Sequence, residues 1–371
     1  MDFSFNDTQQ DVQKLTRQIL SELSTPDRLN QIDQQVDRFD ESLWQQLATS
    51  GLLGVAIDER YGGMGFGFTE LCLLIEEVGR TVAALPVIPV LVSAALPIQK
   101  YGSNEQKERL LTGLVKGETF ITAALSEAMS EFPGAPEVMA VVTESDYLLT
   151  GTKIAVPFAD KAECILITAD TVDGIGLFLV NPKAKGVVLT RQRSTTNEPW
   201  FELTMNDVSV AAEDVLVTGS EAVEVADWIS ERTMAASCVM QVGVVDEMTR
   251  MTASYTCERV QFNAPIGSFQ AVQHRAADCL IDSTCLKLTA YQAVSLLDED
   301  SEATAEVLIA KIWAGDAGHR VSYAAQHLHG GMGIDKDYHL WRYCLWARQL
   351  EMSLGNSASH LSALGERIAR E

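Results

Sequence analysis

Apolar residues recur at three- and four-residue spacing from Asp7 to about Lys116, as in Leu43 and Leu47 and again in Leu71, Leu74, Ile75 and Val78. That period predicts helices with one buried face. Glycines interrupt the region at Tyr61-Gly62-Gly63-Met64-Gly65-Phe66-Gly67. The string reads as a turn between helices: it lacks the Lys-Ser/Thr of a P-loop, and no strand clearly precedes it. Near Thr119 the period changes. To about Val217, short runs rich in Val, Ile and Thr alternate with turn residues, at Tyr147–Thr152, Cys164–Thr168, Gly176–Val180, Gly186–Thr190 and Phe201–Met205. Strands at roughly ten-residue spacing, with no helical pattern between them, predict an antiparallel barrel or sandwich. After Ala222 the helical period returns, over Val223–Arg259, Phe269–Asp298, Glu302–His329 and Tyr338–Leu354. The expectation is an α+β chain with an N-terminal helical domain (1–118), a central antiparallel β-barrel domain (119–222) and a C-terminal four-helix bundle (223–371).

Composition narrows the function classes. The 371 residues are 47% hydrophobic and 21% charged, which excludes a disordered, collagen-like or disulfide-scaffold chain. A formal charge of −23 without any basic cluster argues against nucleic acid or a membrane surface as main partner. The start, Met1-Asp2-Phe3-Ser4-Phe5-Asn6-Asp7, has no basic segment followed by an apolar one, so a cytoplasmic protein is expected. The apolar stretch Leu85–Pro97 is broken by prolines and shorter than the ~20 residues of a membrane span, so it reads as buried helix and turn. Cys72, Cys164, Cys238, Cys257, Cys279, Cys285 and Cys344 are odd in number and form no CxxC pair. They read as small buried hydrophobes of a reducing compartment, with neither disulfide nor zinc site. His327 and His329 lie two residues apart, on different faces of a helix, a poor metal pair; no metal is expected. Trp313 and Trp346 are expected in the core.

Four strings give the chain a resemblance. They are Glu59-Arg60-Tyr61-Gly62-Gly63-Met64-Gly65 with Glu76-Glu77-Val78-Gly79-Arg80, then Tyr101-Gly102-Ser103-Asn104-Glu105-Gln106-Lys107 ending in Gly117-Glu118. The third runs unbroken from Glu258 through Arg259, Phe262, Asn263 and Gln270 to His274, and the last is His327-Leu328-His329-Gly330-Gly331-Met332-Gly333 followed by Trp341-Arg342-Tyr343. In this order they resemble the acyl-CoA dehydrogenase family over essentially the whole chain. The resemblance implies FAD, with the ADP half held by the neighbouring subunit. Arg259 would ion-pair with the pyrophosphate, Phe262 would pack on the adenosine side, and Gln270 would hydrogen-bond the dinucleotide. Gly330 and Gly331 would admit backbone N–H groups to the diphosphate, and the imidazole of His327 would donate where many members have Gln. On residue chemistry alone, Arg259 reads as a solvated helix-end cation and the glycines as a helix stop. Asn263 replaces the family's usual glycine after Phe262.

The flavin-ring half departs from the family pattern. Members place Thr/Ser-Glu-Pro, then Ala-Gly-Ser, against the ring; the aligned segment here is Leu125-Ser126-Glu127-Ala128-Met129-Ser130-Glu131, which keeps only Ser126-Glu127. Members also carry an aromatic residue and a Thr against the ring after Gly-x-Lys. Here Gly151-Thr152-Lys153-Ile154 continues with Ala155-Val156-Pro157; Ala155 cannot stack, and Pro157 has no N–H or hydroxyl. The family's reaction, α,β-dehydrogenation of a CoA thioester, needs a carboxylate base within hydrogen-bond reach of the α-proton. Aligned without gaps from Arg342-Tyr343, the base position holds Leu354. The alternative base position on the earlier helix falls at Thr233, with Glu231 two residues away on another face. Glu247, expected to face solvent beside Asp246, and Glu351, one turn before Leu354, remain by type; Glu351 is the candidate substitute.

Leu328-His329-Gly330-Gly331-Met332-Gly333 and Leu354-Gly355-Asn356 are similar to the base-lacking subunits of α2β2 bacterial acyl-CoA dehydrogenases of steroid side-chain degradation. That resemblance implies a non-catalytic subunit that completes the FAD site of a catalytic acyl-CoA dehydrogenase homologue. The partner would take the acyl-CoA, a bulky thioester with a steroid ring system as the candidate. Two alternatives stay open: a self-sufficient homotetrameric dehydrogenase with a displaced base such as Glu351, and a flavin-free scaffold homologue.

Overall fold

A computed structural model describes residues 4–130, 133–144 and 146–370. Helix α1 (Asp7–Leu23) starts at a reciprocal cap, in which the Asn6 side chain accepts from Gln9 N–H while the Gln9 side chain accepts from Asn6 N–H. There follow α2 (Pro26–Asp33), α3 (Glu41–Thr49) and α4 (Phe68–Thr81). The glycine string before α4 is a loop, as its composition predicts. Its Gly63 is required by packing, because a Cβ there would lie 2.0 Å from the Ile57 carbonyl oxygen. The proline-broken apolar stretch forms a buried π-helical segment (Ile88–Ala95) that runs into α5 (Leu96–Tyr101). Helix α6 (Asn104–Val115) opens on a second reciprocal cap, Ser103 with Gln106.

Eight strands follow: β1 (Ile121–Ala124), β2 (Met139–Val142), β3 (Asp146–Pro157), β4 (Cys164–Thr171), β5 (Gly174–Val180), β6 (Val187–Arg193), β7 (Pro199–Ala211) and β8 (Val215–Thr218). They form one sheet in the order β6-β7-β3-β2-β4-β5-β8, with β1 added on β4. This corrects the antiparallel barrel in two respects. The sheet is mixed, because β1 runs parallel to β4 from Ile121↔Cys164 to Ala124↔Ile167, and β2 meets β4 in parallel at Met139↔Asp170. Nor does it close among the described residues, since β6 and β8 each have one neighbour. Edge β6 turns Arg191 to Asp37 and the Val36 carbonyl instead of to another strand, the charged edge that discourages further pairing. Leu149, Ile165, Ile167, Phe178, Leu203 and Met205 fill its core.

The helical part comprises α7 (Glu221–Glu258), a short hairpin β9 (Val260–Gln261) and β10 (Ala264–Pro265), then α8 (Gln270–Asp298), α9 (Thr304–His329), α10 (Leu340–Met352) and α11 (Ser357–Arg370). Five helices stand where four were expected. The fifth begins at Asn356, whose side chain accepts from the N–H groups of Ala358 and Ser359, a cap hidden in what reads as a Ser-rich loop. Helices α8, α10 and α11 all pack on α9, whose small residues permit close approach. A Cβ at Gly315 would lie 2.2 Å from Ser357 Oγ, and one at Gly318 would lie 1.7 Å from Gln241 Nε2. Trp346 is buried and Trp313 half-buried.

By packing, the chain divides into two compact units. One takes in the chain up to Gln31, Cys72–Ala83 and everything from Met234; the other comprises Ile32–Leu71 and Ala84–Thr233. Five cysteines are buried, and burial pushes the thiols of Cys164, Cys238 and Cys344 up to about 12. Cys257 is exposed and Cys285 half-buried, which corrects the all-buried expectation; Cys257 falls on the solvent side of the last turn of α7. Among the described residues no helix is long and apolar enough to cross a membrane, and no three His, Cys, Asp or Glu gather as a metal site.

Candidate dinucleotide site and the ring-side strand

The end of α7, the start of α8 and the end of α9 are tied together by aromatic and polar contacts. Tyr255 Oη donates to the His329 carbonyl at 3.3 Å, and the two rings stack with centroids 4.3 Å apart. Arg259 stands four residues after Tyr255, its N–H still bonded to the Tyr255 carbonyl, so it extends the helix face that touches α9. The hairpin then reverses the chain through Phe262 (φ +53°) and Asn263 (φ +64°), the two left-handed residues of a type I′ turn. Asn tolerates that conformation well, so it serves where the family has glycine. Phe262 is 88% exposed at the hairpin tip and meets Phe269 edge-on at 6.1 Å. Phe269 precedes α8 without a side-chain cap, leaving Gln270 exposed at the positive end of that helix.

Across α8 and α9, an Arg275 guanidinium nitrogen lies 3.0 Å from His327 Nδ1, and the guanidinium sits 5.6 Å from the centre of the Tyr323 ring. Arg275, Tyr323, Arg320, Asp278 and Asp282 line a half-open cleft of about 290 Å³. Its charges largely cancel, Arg320 being held by both oxygens of Asp282. His327 is exposed and His329 buried, as their spacing predicts.

The three glycines of the turn after α9 have three different causes. Gly330 adopts φ +58°, ψ −131°, a conformation closed to residues with a Cβ. Gly333 is demanded by packing, since a Cβ would lie 2.6 Å from the Gln326 carbonyl oxygen. At Gly331 an added Cβ meets no protein atom within 4 Å, so nothing within the chain requires glycine there. Arg259, Gln270 and His327 are exposed and Gly331 is open, donor chemistry of the kind that the diphosphate of a dinucleotide needs.

The ring-side segment has different partners. Glu127 accepts from buried Lys153 Nζ and from the N–H groups of Glu137 and Val138; Lys153 also donates to Thr168 Oγ1 at 3.1 Å. Burial lowers the Lys153 pKa, and the Glu127 pair opposes that shift. The Ser126 carbonyl accepts from Ile154 N–H at 2.9 Å. Ala155 lies in a bulge of β3 against β7 with φ +54°, and its N–H is taken by the Gln192 side chain at 2.9 Å. Glu131 of the aligned segment lies outside the described residues.

At the base position Leu354 is left-handed (φ +56°), and its carbonyl accepts from His360 Nε2 at 2.8 Å. The Glu351 carboxylate accepts from Arg348, and His319 Nδ1, itself against the Arg348 guanidinium, lies 3.4 Å from it. Glu247 is half-buried and paired with Arg250, which corrects its expected solvent-facing place. Thr233 is buried with its hydroxyl 3.0 Å from that of Ser93. Burial raises the pKa of Asp227, and the charge of Glu231, one turn on, adds to the shift. No sequence motif gives a role to Tyr255, Arg275 or Gln192. Tyr255 is detectable there as the i−4 neighbour of Arg259; Gln192 and the Arg275–His327 contact depend on how distant segments pack.

Two family models match: one described as Acyl-CoA dehydrogenase, N-terminal domain, over residues 6–118, and one described as Acyl-CoA dehydrogenase, C-terminal domain, over residues 223–369. The curated acyl-CoA dehydrogenase FadE27 of Mycobacterium tuberculosis is 36% identical over 377 residues, spanning 100% of this chain and 99% of the relative. Among solved structures, a chain of the ChsE4-ChsE5 complex from Mycobacterium tuberculosis aligns with a TM-score of 0.95 at 35% identity, covering 100% of both chains. A chain of the Tcur3481-Tcur3483 steroid ACAD aligns with a TM-score of 0.92 at 39% identity, covering 98% of each.

Proposed function

The chain belongs to the acyl-CoA dehydrogenase family, a class of flavin oxidoreductases, and on that premise we propose that it is the non-catalytic subunit of a heteromeric enzyme. It completes the FAD site of a catalytic acyl-CoA dehydrogenase homologue in an α2β2 assembly. The observation that carries this reading is the base position. Leu354 has no proton-accepting group, and the neighbouring Glu351 carboxylate is occupied by Arg348. The ring-side changes agree with it, because Glu127, Lys153 and the Ala155 N–H all have partners within this chain.

On this reading Arg259 neutralises diphosphate charge with its rigid fork of N–H groups. Gln270 and His327 add directional donors, Phe262 covers the adenosine side, and Gly330 and Gly331 allow the backbone to approach. FAD held there would supply the hydride acceptor of the dehydrogenation, and the partner the carboxylate base for the α-proton. Both aligned structures carry two-protein names, and one is named as a steroid ACAD, which supports a heteromeric partner and a bulky acyl-CoA with a steroid ring system.

The test is co-expression with a catalytic homologue and measurement of FAD per αβ pair. One FAD per pair is expected; two per pair, or one on the chain alone, overturns the reading. Arg259→Ala in the complex is expected to weaken FAD retention about tenfold or more, the usual effect of losing a hydrogen bond to a charged group. Unchanged flavin content would favour the flavin-free scaffold instead.

A further inference from the structure

We infer that Arg275 is a positioning residue, fixing the ring of His327 in the tautomer that carries its proton on Nε2 and so making His327 an obligate donor to the ADP half of FAD. This rests on the shared-site reading above. A guanidinium has five N–H donors and no acceptor, and it stays charged at any working pH. The 3.0 Å contact between Arg275 and His327 Nδ1 therefore requires that Nδ1 accept. In the neutral imidazole the single proton then lies on Nε2.

His329 shows the reverse arrangement two residues later. Its Nδ1 lies 2.8 Å from the Ala325 carbonyl oxygen, which can only accept, so Nδ1 carries the proton and Nε2 accepts from Tyr338 Oη at 3.2 Å. That ring is buried and uses both nitrogens within the chain. His327 is exposed, with one nitrogen held by Arg275 and the other left as a donor beside the open Gly330-Gly331 turn. Arg275 is itself steadied over the face of Tyr323, one turn before His327 on α9. A free imidazole samples two tautomers and two ring flips; a guanidinium on Nδ1 leaves one of each, so less freedom is lost on binding.

The test combines nitrogen-15 spectra of histidine in the full-length chain with FAD retention in the co-expressed complex. His327 is expected to show a single Nε2–H tautomer, assigned by its disappearance in His327→Gln. Arg275→Ala is expected to give a mixture and to weaken FAD retention about five- to tenfold, while Arg275→Lys, which keeps a donor, restores both. In a His327→Gln background, where the amide supplies the donor, Arg275→Ala should cause no further loss. Three results overturn the inference: a proton on Nδ1 in the wild type, a tautomer indifferent to Arg275→Ala, or an equal loss of FAD in the His327→Gln background. If the tautomer shifts as expected while neither Arg275→Ala nor Arg259→Ala changes FAD content, the shared-site reading fails and the link to FAD fails with it.

Discussion

At the α7–α9 apex, Arg259, Gln270, His327 and Gly331 stay exposed, and among the described residues neither Arg259 nor Gln270 has a side-chain partner. In the strand segment, Glu127 and Lys153 are equally faithful to the family strings, yet each is buried and bonded inside the chain. Two retained motifs therefore have opposite fates. Retention of residue type does not reveal whether a polar group serves a ligand or the fold; its partners do. Glycine shows this within a single string, where Gly333 is required by the Gln326 carbonyl and Gly331 by nothing in the chain.

The sharpest way to break this comparison is at Lys153. Lys153→Met strands a buried carboxylate and should destabilise the chain by about 3–5 kcal/mol, read as a lower urea midpoint. Adding Glu127→Leu should recover only part, because the N–H groups of Glu137 and Val138 then lose their acceptor. At the apex the expectation inverts. Gly331→Ala should leave the free energy of unfolding within about 0.5 kcal/mol of wild type while weakening FAD retention in the complex about tenfold; Gly333→Ala should chiefly lose stability.

A smaller effect is expected from pH. Burial lowers the pKa of His329 below its usual 6.5. The stability it contributes as a neutral ring is therefore complete above that ordinary value and lost as pH falls through the lowered one. Between about pH 7 and about pH 5 the urea midpoint of the wild type should drop more than that of His329→Gln. The smallest effect belongs to Glu351→Gln, which removes only a partly exposed ion pair with Arg348, worth about 1 kcal/mol or less. Turnover of the complex should be unchanged; abolished turnover would restore the homotetramer with a displaced base.

Helix periodicity in the sequence located α7 to α10 to within a few residues, because a 3.6-residue repeat sustained over many turns is a local signal. It missed β1, β2 and β8, each four residues long, too short to show alternation, and it missed α11, whose cap looks like loop. That position 354 offers no base was legible as well, since Leu has no proton-accepting group in any fold.

Composition, helical period and motif order thus determined the kind of protein, the absence of a carboxylate at position 354, and which residues were available to meet a dinucleotide. Only the tertiary structure decided that β1 and β4 run parallel, that Glu127 is neutralised by Lys153, and that His327 is held by Arg275. The reason is physical. Side-chain chemistry and local period are carried by neighbouring residues, whereas the β1–β4 direction, the Glu127–Lys153 pair and the Arg275–His327 contact join groups 26 to 52 residues apart, which only folding brings together.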